Sequence, residues 1–268
     1  MIEYRALDTA SVGGECPAPA AQTDALSESV SWSERPDTGH QWHTLKCVLL
    51  YVSTHYFMAH PPYSAAVNVE PCATSLYVAD TQRWLQTAVI GLNLCPFAKA
   101  VHVRGLVHYA VTLEVDPAAL LKVLGSEIAE LMALPAQKRD TSLLILPHAF
   151  GEFLDFNDFV GEADALLESF GLEGILQIAS FHPKFQFAGT EAADVTNCTN
   201  RAPYPTLHLL REDSIDRAVE AFPEAESIFE ANMQVLQALG HEGWEALDVG
   251  AHCPVVHPSQ AQAGKGAG

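Results

Sequence analysis

Between residues 182 and 211 the chain gathers His182, Asn197, Asn200, Arg201, His208 and Arg211. A guanidinium binds a carboxylate or phosphate through two parallel hydrogen bonds, so Arg201 and Arg211 suit an anionic ligand. Asn197 and Asn200 supply further hydrogen bonds, and a histidine of ordinary pKa exchanges protons near neutrality. A second chemistry is nucleophilic. Cys95 stands directly before Pro96, and proline favours the first position of a helix. A thiol capping such a helix has a lowered pKa. With His182 as general base, Cys95 is then the candidate nucleophile and the expected most reactive thiol. A third arrangement is a metal site built from His182, His208 and either Asp155 or Asp158. Each residue also has a plainer role. Asparagines bond their own turns, aspartates open helices, and Arg211 has Glu212, Asp213 and Asp216 beside it.

These residues sit in Gly174–Asp213, where two apolar strand-like runs flank a connection too polar and proline-rich to be strand or helix. A long connection of this kind inside a compact domain is uncommon and often functional. Its aromatics, Phe185, Phe187 and Tyr204, also allow a non-catalytic interaction domain that packs on a partner. No glycine-rich phosphate loop, GxSxG elbow or HExxH pair is present, and GLNLCPFA lacks the second cysteine of a thioredoxin-type site.

Three segments, FHPKFQFAGT, TNCTNRAPYPTLHLLREDSIDRAV and WLQTAVIGLNLCPFA, resemble the domain of unknown function 1415 family. The resemblance runs from about residue 80 to 247 and implies no activity, ligand or catalytic residue.

The elements that must position the candidate residues follow from periodicity. Asp80 or Thr81 is placed to cap a helix through Leu92, and GLVHYAVT at 105–112 alternates as a strand. Pro117 opens a helix to about Leu134 with a stripe of Leu120, Leu121, Leu124, Ile128 and Leu131. TSLLIL at 141–146 has the composition of a buried strand. A helix is expected from Asn157 or Asp158 to Phe170. The apolar run 175–181 is expected as the central strand, 206–211 as the fourth, and a last helix spans about 214–239. The order is α-β-α-β-α-β-loop-β-α, an α/β fold with a mixed four-stranded sheet and about four packed helices. Ligands of such sheets bind beyond the carboxyl ends of the strands, where His182 falls.

The flanks differ in character. Residues 1–79 read as a disordered or non-native extension, with Met58 as a possible internal start, residues 80–249 as a single domain, and residues 250–268 as a disordered tail carrying His252, Cys253 and His257. Acidic residues outnumber basic ones 33 to 14, for a net charge of −19, which disfavours nucleic acid and anionic membrane surfaces as partners. Six scattered cysteines without framework spacing, and no signal-peptide pattern, fit a cytoplasmic protein. The expected function is binding of a small anionic molecule at the 182–211 loop, with a Cys/His-dependent enzyme, a metal-dependent enzyme and an interaction domain as the alternatives.

Overall fold

The computed structural model describes residues 71–220 and 227–252, which belong to one compact unit. The expectations for residues 1–70, for a start at Met58 and for the tail past His252 lie outside the described residues. In chain order the helices are α1 (Pro71–Trp84), α2 (Ala98–Val103), α3 (Pro117–Ala133), α4 (Phe153–Ser169), α5 (Glu212–Glu220) and α6 (Ile228–Ala246). The strands are β1 (Val107–Val111), β2 (Thr141–Ile145), β3 (Leu176–Phe181) and β4 (Thr206–Arg211). The class and the mixed four-stranded sheet are as expected, with more helices than the sequence suggested.

The sheet order is β1-β2-β4-β3; β1 and β2 are parallel, and β4 runs antiparallel to both β2 and β3. The strand expected at the centre, β3, is therefore an edge. Its apolar run reports cover on both faces, by α4 on one side and Trp84 on the other, and not a central place. All five residues of β2 are buried, as the centre requires.

Register places side chains in rows across the sheet. One face carries Val107, Thr141, Leu210 and Gln177; then Tyr109, Leu143, His208 and Ala179; then Val111, Ile145, Thr206 and Phe181. Helix α1 covers the last of these rows. Tyr77 packs with Ile145 and Tyr204, and the Trp84 and Phe181 rings meet edge-on at 5.1 Å. The opposite face carries α3 and α4, with His108 reaching Glu127 of α3 at 3.7 Å.

Local sequence explains each helix. Asp116 caps α3 by accepting from the Ala119 amide at 2.9 Å, Pro117 stands first, and Leu120, Leu124, Ile128 and Leu131 form the buried stripe. Helix α4 starts at Phe153, earlier than expected, because Phe153, Phe156, Phe159, Ala163 and Leu167 already make one buried face. Gly240 kinks α6 with φ +67° and does not end it. Helix α1 passes into a π-helical stretch, Leu85–Ile90, and a Cβ on Gly91 would run into the Thr87 carbonyl, so this wide turn demands glycine.

Asp80 lies inside α1 and is not its cap. It is 3% exposed and accepts from the Tyr204 hydroxyl (2.6 Å), the His252 amide (2.8 Å) and Arg83 (2.7 Å). Arg83 also donates to the carbonyls of Asp248 and Gly250 and meets His252 Nδ1. One carboxylate thus ties α1 to the approach to β4 and to the segment after α6. Burial alone would raise its pKa, but the hydrogen bonds from Tyr204, His252 and Arg83 outweigh burial and hold it below the usual carboxylate value. A depressed folded-state pKa gives stability that is present above the unfolded value, near 3.9, and is lost as pH falls below it. Asp80→Asn is expected to lower the melting temperature at pH 7 and to flatten its decline below about pH 4. Thermal melts of both proteins from pH 7 to 2.5 check this.

Candidate functional site

The connection from β3 to β4 has to reverse the chain, and its polar groups hold its own backbone. Asp194 caps a 3-10 turn, Val195–Asn200, by accepting from the Thr196 amide at 2.8 Å. Asn197 is fully buried, accepts from the Phe187 amide and the Thr190 hydroxyl, and donates to the Glu191 carbonyl. Asn200 donates to Ser180 O at 3.2 Å, and its own carbonyl receives the His182 amide. Arg201 donates to the carbonyls of Phe185 (3.2 Å) and Ala192 (2.6 Å). Helix α6 closes the outer side of the turn, where Cys198, Leu94 and Leu236 form a buried cluster.

Arg211 lies elsewhere. Its guanidinium donates to the carbonyls of Leu131 (2.5 Å) and Leu134 (2.7 Å), closing the C-terminal end of α3, where a positive charge is favourable. His182 is 1% exposed and stacks on Phe156 at 5.4 Å. Its Nδ1 accepts from the Lys184 amide, so the proton sits on Nε2 and goes to the Phe150 carbonyl at 2.8 Å. Both ring nitrogens are engaged.

Cys95 packs instead on the α1 side, around Trp84, Ala88, Val89 and Ala202. The structure does not bring it together with His182, which faces α4. Nor does it cap a helix, since α2 begins at Ala98 with Phe97 before it. Burial pushes its thiol pKa up, against the pull of the Phe97 and Ala98 amides, so the expected activation is reversed. Asp155 and Asp158 are exposed on α4. Among the described residues, no three His, Cys, Asp or Glu gather to hold a metal ion.

The remaining candidate, His208, is placed differently. It lies half-buried in the middle row of the α1 face, with its Nε2 2.6 Å from Thr141 Oγ1. The Thr141 hydroxyl gives its single proton to Leu209 O at 2.5 Å, so the imidazole must donate from Nε2. That fixes the tautomer and leaves the lone pair on Nδ1 without a partner among the described residues. Desolvation lowers the imidazole pKa to about 4. The ring is neutral at physiological pH, an acceptor held in one orientation and too weak a base to take a proton there.

Around His208 the face is half-open. Phe181 approaches it ring to ring at 6.1 Å, and Cys95, Tyr109, Phe181 and Trp244, all half-buried, pack on one apolar cluster from four different parts of the chain. The Tyr109 hydroxyl is shielded from solvent without a hydrogen-bond partner among the described residues, and burial raises its pKa to about 12. An orphaned buried hydroxyl costs on the order of 1–3 kcal/mol. Gln177 is exposed, and none of the twelve side chains on this face is charged at neutral pH. Tyr109, Thr141, Phe181 and Trp244 were not marked as candidates by sequence. Alternation along each strand gave their faces, but only the register across strands places them around His208.

A family model described as "Protein of unknown function (DUF1415)" matches residues 77–246. No curated protein and no solved structure matches the chain.

Since their hydrogen bonds hold the loop together, His182→Asn and Arg201→Lys are each expected to destabilise the domain by about 1–3 kcal/mol. Equilibrium urea unfolding measures this; unchanged midpoints would release both residues for another role.

Proposed function

The chain belongs to the DUF1415 family, whose description names no activity, and on the geometry of its α1 face we propose that it binds a small, neutral, flat molecule there. The observation that carries this is His208: a half-buried imidazole, neutral and locked in its Nε2–H form by Thr141, with no partner for Nδ1 among the described residues. A ligand N–H or O–H is the natural partner of that lone pair. The aromatic surroundings, Tyr109, Phe181 and Trp244, suit a planar body, in the usual manner of a mostly apolar site with a few fixed polar groups. The absence of charge on this face favours a neutral ligand, because an anion would be desolvated without a compensating cation.

Binding, and not nucleophilic catalysis, is the role these groups support. The Cys95 thiol is held protonated by burial, and an imidazole with a pKa near 4 is a poor general base at pH 7. A small anion at the 182–211 loop has less support. The donors of Asn197, Asn200, Arg201 and Arg211 are directed at backbone carbonyls, which an anion would have to displace.

Benzamide, which offers an N–H, and benzoate, its charged counterpart of the same shape, separate the possibilities. In ¹H–¹⁵N spectra, benzamide is expected to shift Tyr109, Phe181 and His208, benzoate to do so at least about tenfold more weakly, and His208→Phe to remove the benzamide response. Equal or stronger response to benzoate, shifts confined to residues 185–201, or no response to either compound overturns the proposal.

A further inference from the structure

On the far side of the sheet from β1, the edge strand β3 keeps part of its main chain unpaired. In an antiparallel pair, alternate residues turn their N–H and C=O toward the partner strand and away from it. The Glu212 amide donates to Ile175 O at 3.0 Å, and Leu176 stands opposite Arg211. Residues 175, 177, 179 and 181 therefore face β4, while 176, 178 and 180 turn their groups outward. Two of the outward groups are taken, Leu176 N–H by Leu172 O and Ser180 O by the Asn200 side chain. Leu176 O, both groups of Ile178 and Ser180 N–H remain, and none has a partner among the described residues. They form a template for one short added strand.

That edge borders a groove of about 480 Å³ whose other wall is α4 and the turn before β3. Three carboxylates line it, Asp164, Glu168 and Glu173, with no basic residue. Gly161 and Gly174 add no side chain to its lining. We propose that this groove receives an extended peptide of another protein, added as a strand to β3 and carrying Lys or Arg at alternate positions. Main-chain pairing with Ile178 supplies the attachment, and alternate side chains reach the carboxylates. A second copy of this chain is a poor occupant, because pairing β3 with its own copy sets two acidic grooves against each other. The site lies apart from His208 and stands whether or not the α1 face binds a ligand.

The probe is fluorescein-labelled Lys-Val-Lys-Val-Lys, read by anisotropy in moderate salt. Binding is expected, weakened at least about tenfold by Glu168→Lys and by Ile178→Pro. The Ile178 N–H points away from β4, so proline there removes an outward donor without breaking the ladder. The same peptide N-methylated at its three inner residues, which removes the amides that could pair in either strand direction, tests pairing without altering the protein, and it is expected to bind at least about tenfold more weakly. Failure of the unmodified peptide to bind, or equal binding of the N-methylated form, overturns the proposal; the latter would mean charge attraction alone.

Discussion

Strand β4 lies between two strands that both run against it, and much of the domain follows from that placement. An antiparallel pair such as β3 and β4 can be joined by a two-residue turn, yet here residues 182–205 connect Phe181 to the Thr206 opposite it. A buried loop must satisfy its own amides and carbonyls. Asn197, Asn200 and Arg201 do so inside the loop, His182 fastens its start to Phe150, and α6 packs over its 3-10 turn. The same insertion carries His208 into the middle of the sheet, opposite Leu143, two strand spacings or about 10 Å from Tyr109.

Two buried polar centres then have contrasting character. Asp80 is saturated: three donors converge on one carboxylate and join segments far apart in sequence. The α1 face around His208 is not. There an imidazole nitrogen and a tyrosine hydroxyl lack partners among the described residues; on the opposite side of the sheet Ser142 Oγ and Glu127 Oε2 also lack a hydrogen bond, but without an aromatic surface beside them. Buried polar groups are nearly always bonded, and the unmatched ones beside the half-buried aromatics are what support the proposed ligand site.

Elements with local causes were legible in the sequence. The stripe of α3, its start at Pro117 and the four strands follow from period and composition, as does the mixed α/β class. What sequence could not supply was anything set by register or by distant partners. Arg211 looked like an anion clamp because the free carbonyls it closes belong to a helix that ends some 80 residues earlier. Cys95-Pro96 suggested a helix cap, but helix α2 begins only at Ala98 and burial decides the thiol's pKa. The apolarity of β3 suggested a centre, although an edge strand covered on both faces has the same composition. His208 was marked as a ligand residue, yet its neighbours Tyr109 and Thr141 were beyond reach without the pairing of β1, β2 and β4.

Long-range ¹H–¹⁵N correlation of the His208 ring across a pH titration is the most direct measurement of the central claim. The account predicts a neutral Nε2–H tautomer whose Nδ1 titrates only as pH falls to about 4. An Nδ1–H tautomer, or protonation near the ordinary histidine value of about 6.5, would contradict it.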